Sequence, residues 1–164
     1  MTPRSAASQA CLLLGSNIDA EHNLPRAIAL LRQYVEVADA SLVWETPAVG
    51  SSGPDFLNAA VLVHTHLQPE QLKGQVLSEI ETRLGRVRTA DKYAPRPIDI
   101  DIVAWDCQVT DPDVWRFAHA AVPVSEVLPC ELHSDQGETL AHTAARLLQN
   151  TPIRLRGELS PALS

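Results

Sequence analysis

Apolar positions recur at two different spacings along the chain, and these spacings separate predicted helices from predicted strands. Helical spacing is clearest over 69–84, where an apolar residue returns every four positions, and it also occurs over 23–34. Asn23 is the expected N-cap of the earlier helix, and Gly85 is the expected end of the later one. A shorter helix is predicted over 140–148.

Short apolar or β-branched runs predict four strands, at 9–14, 35–45, 56–67 and 98–104. The order is then strand, helix, strand, strand, helix, strand. This order predicts an α+β fold with a ferredoxin-like βαββαβ core, built on a mainly antiparallel sheet with flanking helices. We expect one domain over 1–164, with a core at about 9–150 and a peripheral tail at 151–164.

The strand at 98–104 has an unusual polar face. It reads Ile-Asp-Ile-Asp-Ile over 98–102, although aspartate is depleted in strands. Period two sends the isoleucines to one face, suited to a core, and sends Asp99 and Asp101 to the other. The two like charges, about 6–7 Å apart along the strand, would be balanced by a divalent cation. Mg²⁺ suits this place because it takes carboxylate oxygens together with substrate phosphates.

A basic loop precedes this strand. Five of the thirteen Lys and Arg residues fall between Arg83 and Arg96, although the net charge of the chain is −7. The overall acidity argues against nucleic acid as a partner. Arginines beside paired aspartates instead favour phosphoryl-type transfer, which requires positioning and charge neutralisation.

Other features set expectations about compartment and thiols. No apolar run approaches the ~20 residues that span a bilayer, and the first residues lack the apolar core of a signal peptide. We therefore expect a cytoplasmic protein that is monomeric and has no membrane partner.

Cys11, Cys107 and Cys130 are expected to be reduced, mostly buried thiols. His64 and His66 share a strand face and could hold a metal together, but structural histidines are the better interpretation because nearby ligands are lacking.

Several short motifs occur in a fixed order. They are Gly-Ser-Asn at 15–17, Glu-Thr-Pro at 45–47, Asp-Phe-Leu-Asn-Ala at 55–59, Glu81 with Arg86 and Arg88, and Ala-Pro-Arg-Pro-Ile-Asp-Ile-Asp-Ile at 94–102. Over about 10–105 this set resembles the 6-hydroxymethyl-7,8-dihydropterin pyrophosphokinases of folate biosynthesis. The resemblance implies an ATP-dependent diphosphotransferase that moves pyrophosphate from ATP to the dihydropterin and leaves AMP.

The resemblance also implies roles at the phosphate side of the site. Asp99 and Asp101 match the ligands of two Mg²⁺ ions, and Arg86 and Arg96 match catalytic arginines. Glu81 matches a helical glutamate that would order the loop by pairing with arginine. The ATP-binding residues that it implies are Arg86, Arg88, Arg96 and Ile102.

On the pterin side, the resemblance implies a site formed by Thr46, Val49, Phe56, Asn58 and Tyr93. Asn58 would bind the hydrogen-bonding edge of the pterin, and Phe56 would stack on its ring. Thr46 and Val49 would line the pocket largely through backbone groups. Tyr93 stands where the family usually has a loop tryptophan that seals the site.

The chain departs from the family after the aspartate strand. The segment 107–121 looks shorter than its family counterpart, which helps to hold ATP and to cover the pterin. Arg116, Phe117 and His119 could replace part of it. Two alternatives therefore stand beside the enzyme: a non-catalytic or regulatory pterin-binding paralogue, and a pyrophosphokinase for a related pterin.

Overall fold

The computed structural model describes residues 6–48 and 53–160. Within these ranges one seven-stranded sheet carries the site. Its strands are β1 Ser8–Ser16, β2 Glu36–Ala40, β3 Trp44–Thr46, β4 Phe56–Thr65, β5 Asp99–Trp105, β6 Gln108–Val109 and β7 Arg154–Leu155. The spatial order is β6-β5-β1-β4-β3-β7, and β2 also pairs with β4.

The helices lie between and after these strands. They are α1 Ala20–Tyr34, α2 Pro69–Gln71, a π-helical segment Leu72–Leu77, α3 Ser78–Arg83, α4 Ala118–Val127 and α5 Leu140–Asn150. Two short 3₁₀ turns occur at Pro112–Trp115 and Gly157–Leu159. The stretch 69–83 is continuous, as the four-residue spacing of its apolar side chains predicts. None of the described helices is both long and apolar enough to cross a membrane.

The sheet is antiparallel at every described pairing. β1 lies in the middle, with β5 on one side and β4 on the other, and β2 and β3 both pair with the far edge of β4. This arrangement confirms the predicted α+β fold with a mainly antiparallel sheet and a βαββαβ core.

Helices cover both faces of the sheet. One core, which includes Leu12, Ile80 and Ile98, lies between the sheet, α1 and the helical stretch 69–83. The other, which includes Leu62 and Val124, lies under α4 and α5. Burial on both faces explains why β4 is a continuous apolar run rather than an alternating one.

The predicted strand at 35–45 is two strands, β2 and β3, separated by a break at 41–43. Ser41 causes the break: its backbone N donates to the carbonyl of Ala60 at 2.8 Å, and its Oγ accepts from Ala60 N at 2.8 Å. A side chain thus replaces part of the backbone ladder, which frees the chain to turn into β3.

One further prediction was wrong. Asp19, not Asn23, is the N-cap of α1; Asn23 lies inside the helix, and its Nδ2 donates to the carbonyl of Ile18 at 2.7 Å. Within the predicted tail, the exposed strand β7 joins the edge of the sheet beside β3. The position of β7 depends on long-range pairing with β3, which local sequence patterns do not encode.

The expectation of three reduced thiols was also wrong. Cys107 and Cys130 form a disulfide, with their Cα atoms 6.2 Å apart. It ties the turn between β5 and β6 to the segment after α4. Cys11 is the free, buried cysteine, and burial raises the pKa of its thiol to about 12.

Candidate active site

The two aspartates of β5 face the same side of the sheet, and Asp99 lies on a row of paired residues that crosses it. Asp99 pairs with Gly15 of β1, and Gly15 pairs in turn with Asn58 of β4. Paired residues on neighbouring strands share a face, so these groups face the same side, next to the N-terminal end of α4. Ile98 and Ile100 are buried in the core on the other side, as the alternation predicts.

Two adjoining cavities meet at this carboxylate pair. The larger has a volume of about 470 Å³ and the smaller about 350 Å³. Both are lined by Asp99 and Asp101, and also by Lys92 and Arg96 of the basic loop. A ligand in one cavity and a ligand in the other can therefore approach each other beside the two carboxylates.

Asp99 is bracketed by two arginines. Arg86 Nη1 lies 2.6 Å from Asp99 Oδ1, and Arg96 Nη1 lies 3.2 Å from Asp99 Oδ2. Arg86 also pairs with the buried carboxylate of Glu81, which lies 3.6 Å from Arg88 as well. The predicted pairing of Glu81 with the loop arginines is present, so α3 holds the start of the basic loop against β5.

Asp101 has a different environment. Among the described residues, no ion pair within 4 Å reaches its carboxylate. Burial, followed by the negative charges of Asp99 and Glu81, raises its pKa to about 6. An anionic carboxylate without a cationic partner is therefore stabilised by any cation that enters the site.

The donor set fits a hard cation. The described residues contain no cluster of three or more His, Cys, Asp or Glu side chains suited to a metal. The protein thus offers two carboxylates, on one strand face, and the remaining ligands would be phosphate oxygens and water. This is the way in which Mg²⁺ is usually held beside nucleotide phosphates.

The larger cavity contains most of the residues predicted for the pterin. Thr46, Phe56, Asn58 and Tyr93 all line it, and Gly15 forms part of its floor. Asn58 is buried, and its Nδ2 donates to Thr46 Oγ1 at 2.9 Å. The same nitrogen donates to the carbonyl of Trp44 at 3.1 Å, so the amide orientation is fixed by β3.

Tyr93 and Arg88 lie at the borders of the site. Tyr93 is 46% exposed at the rim of the larger cavity, with Lys92 Nζ 5.0 Å from its ring centroid. Arg88 lines the smaller cavity. Ile102 lines neither of these two cavities, because its side chain packs against the core. Val49 lies outside the described residues.

A wall of the larger cavity comes from the segment after β5, which the predicted site did not include. It is formed by Asp113, Arg116, Phe117 and His119. The rings of Phe117 and His119 stack at a centroid distance of 5.5 Å and an interplanar angle of 19°. Burial lowers the pKa of His119, although Asp113 and Asp111 oppose that shift. The sequence feature that could have identified this wall is the presence of aromatic and basic residues in the segment.

The histidine pair predicted as structural is not brought together into a metal site with other described ligands. His64 lies on β4, with its Nε2 3.3 Å from Gln9 Nε2 and its Nδ1 3.7 Å from Glu36. His66 follows the end of that strand. A structural role for the two histidines stays a prediction.

The chain matches one family model, described as 7,8-dihydro-6-hydroxymethylpterin-pyrophosphokinase (HPPK), over residues 11–129. A protein of Methylorubrum extorquens named 2-amino-4-hydroxy-6-hydroxymethyldihydropteridine pyrophosphokinase is 38% identical over 152 residues, which is 85% of this chain and 94% of that protein. A protein of the same name from Synechocystis is 31% identical over 77% of this chain and 70% of that protein.

Longer proteins also match. The folate synthesis bifunctional protein of Arabidopsis thaliana is 38% identical over 56% of this chain, which covers only 19% of that protein. The mitochondrial one of Pisum sativum is 32% identical over 76% of this chain, which covers 26% of that protein. The chain thus spans a fifth to a quarter of these relatives.

Among solved structures, Plasmodium falciparum HPPK-DHPS with pteroate superposes with a TM-score of 0.67 and 12% identity, over 92% of this chain and 44% of that one. At this identity the similarity shows the fold alone. The family model, by contrast, covers well over half of the chain. Its matched residues include the strand with the two aspartates, the basic loop, and Gly15 and Asn58. The chain belongs to the 7,8-dihydro-6-hydroxymethylpterin-pyrophosphokinase family.

Proposed function

We propose that the chain transfers pyrophosphate from ATP to the hydroxymethyl group of 6-hydroxymethyl-7,8-dihydropterin, giving AMP and the pterin diphosphate for folate synthesis. The observation that carries the proposal is the position of Asp99 and Asp101, at the junction of two cavities of different chemistry. One cavity is rich in arginine, and the other offers aromatic rings and a buried amide.

The smaller cavity is the proposed site of the ATP phosphates. Arg86, Arg88 and Arg96 line it, and the guanidinium group binds phosphate oxygens in a planar, bidentate way. Arg86 and Arg96 are the proposed catalytic pair. Ile102 stays a proposed ATP contact, although its side chain packs against the core and lines neither cavity. Because both catalytic arginines pair with Asp99 here, ATP binding would draw them from the carboxylate towards the phosphates.

The larger cavity is the proposed pterin site. The fixed amide of Asn58 would bind the polar edge of the pterin, and Phe56 would stack on the ring. Thr46 and Val49 would line the pocket, and Tyr93 would seal its rim. The hydroxymethyl group of a pterin bound this way would point towards Asp99 and Asp101.

Mg²⁺, as two ions held by Asp99 and Asp101 together with phosphate oxygens and water, would neutralise the charge that develops on the transferred group. The protein contributes the rigid strand that fixes the two carboxylates. Its basic loop, residues 86–97, would bring positive charge to the phosphates, and closure of the loop would exclude competing water.

A related reduced pterin is the second candidate substrate. Asp113 and Arg116 add charged groups to the wall of the larger cavity, and such groups suit a polar substituent on the pterin. A non-catalytic pterin-binding paralogue is the third candidate. The intact pair of like charges at Asp99 and Asp101 argues for the enzyme, because a protein without turnover gains nothing from keeping them together.

We further propose that one domain carries both substrate sites and that the chain acts as a cytoplasmic monomer, without nucleic acid or membrane partners. The net charge of −7 supports the absence of nucleic acid. Size-exclusion chromatography with light scattering would test the monomer: a mass near 17.8 kDa is expected, and a stable dimer contradicts it.

Chromatography of the nucleotide products tests the function. The chain is incubated with Mg²⁺, ATP and a panel of reduced pterins. AMP formed with 6-hydroxymethyl-7,8-dihydropterin supports the proposal, and ADP contradicts pyrophosphoryl transfer. AMP formed faster with another pterin supports the second candidate, and pterin binding without any turnover supports the paralogue.

A further inference from the structure

The short strand β3 controls the orientation of Asn58. The Nδ2 of Asn58 donates to two acceptors on β3, the carbonyl of Trp44 and the hydroxyl of Thr46. Trp44 is also the direct cross-strand partner of Asn58. A shift of β3 by a fraction of an ångström would therefore turn the Asn58 amide within the larger cavity.

β3 has only three residues, Trp44–Thr46, which is too short to be rigid by its own pairing with β4. Its outer edge is covered by the segment 154–160, which we call the C-terminal clamp. The backbone of the clamp continues the sheet through β7, and Arg156 N donates to the carbonyl of Val43 at 2.8 Å. Ser160 Oγ accepts from Val43 N at 3.2 Å.

Side-chain ion pairs also join the C-terminal clamp to β3. Glu45 accepts from Arg154 Nη2 at 3.0 Å and also from Arg156. Arg156 donates further to Glu21 at 2.7 Å and to Glu158 at 2.6 Å. The Arg156 and Glu45 side chains are each only 18% exposed, whereas Arg154, Glu21 and Glu158 are exposed, so the Arg156–Glu45 pair is the shielded part of the network.

The network lies on the far side of β3 from the cavity. Glu45 alternates with Trp44 and Thr46 along the strand, and its cross-strand partner Leu57 belongs to the core under α1. Neither Glu45 nor Arg156 lines either cavity. Any effect of these residues on the site must therefore pass through the position of β3.

We propose that the C-terminal clamp is a positioning element of the pterin site, in which Arg156 acts through Glu45 to hold β3 and hence the Asn58 amide. The inference rests on the proposed function of the larger cavity. Arg156 is a positioning residue because it touches no substrate. Its loss affects pterin recognition and leaves the arginine-lined phosphate cavity, which β5 and the basic loop form, unchanged.

The test compares Arg156→Met, Arg156→Lys and Glu45→Gln with the wild-type chain in steady-state assays of AMP formation. Circular dichroism first selects a temperature at which every variant is folded. Arg146→Met is the matched control, because Arg146, on α5, also pairs with a carboxylate, that of Glu138 just before the helix. Arg156→Met is expected to raise the KM for the pterin about tenfold, with the KM for ATP and kcat within twofold of wild type.

Arg156→Lys, which keeps the charge, is expected to recover most of the pterin KM, and Arg146→Met to match the wild type. Glu45→Gln is expected to raise the pterin KM about threefold, and it keeps the proposal testable if Arg156→Met does not fold.

An unchanged pterin KM in folded Arg156→Met and Glu45→Gln overturns the clamp but leaves the proposed function intact. Equal losses in kcat and both KM values indicate a purely structural role and also overturn it. Absence of turnover in the wild-type chain refutes the proposed function, and the clamp with it.

Discussion

Asn17 and Arg96 are joined by two hydrogen bonds although they lie 79 residues apart in sequence. Arg96 N donates to Asn17 Oδ1 at 2.8 Å, and Asn17 N donates to the carbonyl of Arg96 at 3.1 Å. The Nδ2 of Asn17 also donates to the carbonyl of Pro54 at 3.3 Å. The turn after β1 thus fixes both the end of the basic loop and the approach to Phe56.

Asn17→Ala is expected to lower kcat/KM by about tenfold to a hundredfold, because a displaced Arg96 loses its place beside the phosphates. It should also lower the free energy of unfolding by about 1–3 kcal/mol, since the partly buried backbone N–H of Arg96 loses its acceptor. Steady-state kinetics and urea denaturation measure the two effects. Asn150→Ala, at the exposed end of α5, is the control and should change neither by much. Wild-type kcat/KM in Asn17→Ala would show that this link does not position Arg96.

Opposite stability changes are expected at the two aspartates when Mg²⁺ is absent. At pH 8, Asp101→Asn removes a buried negative charge that lies close to Asp99 and Glu81, and should raise the free energy of unfolding by roughly 1–2 kcal/mol. Asp99→Asn removes the partner of two arginines, and should lower it by about 1–3 kcal/mol. Urea denaturation compares both variants with wild type. If both variants are destabilised equally, the unbalanced charge of Asp101 is not a source of instability.

Gly15 lines the larger cavity, and its lack of a side chain leaves space there. A Cβ placed there would lie 3.5 Å from Asn58 Oδ1 and 3.6 Å from Phe56 Cδ1, which is ordinary contact, so alanine fits and a larger side chain enters the cavity. Gly15→Val is expected to weaken pterin binding at least about tenfold, and Gly15→Ala less, while ATP binding stays the same. Isothermal titration calorimetry measures each affinity. Gly74→Ala, whose Cβ would meet nothing within 4 Å, is the control. Equal weakening of ATP and pterin binding would contradict separate sites.

The disulfide should be visible as a dependence of stability on reduction. Cys107 and Cys130 are 23 residues apart, and closing a loop of that size contributes about 3 kcal/mol in the chain-entropy model. Cys107→Ser is expected to lower the free energy of unfolding by about that amount and to remove the effect of dithiothreitol. Cys11→Ala should keep the effect. Three reactive thiols per unfolded, unreduced chain, instead of one, would show that the bond does not form.

The sequence predicted the parts of the site that local periodicity controls. Alternation over 98–102 was enough to place Asp99 and Asp101 on one face and the isoleucines in the core, because a strand allows no other assignment. The Phe117 and His119 wall was harder to assign. It depends on where α4 begins relative to the sheet, and no local pattern fixes that. The C-terminal clamp was missed for the same reason: Arg156 owes its role to Glu45 and Glu21, which lie more than a hundred residues earlier.

The most direct test of the account measures AMP formed from ATP and 6-hydroxymethyl-7,8-dihydropterin, with Mg²⁺, by wild type and by Asp99→Asn, Asp101→Asn and Asp135→Asn. The first two substitutions remove one proposed metal ligand each, and the third changes an exposed turn. The account predicts AMP from wild type and Asp135→Asn, and at least about a hundredfold less from the other two. No AMP from wild type, or equal AMP from all four proteins, would contradict it.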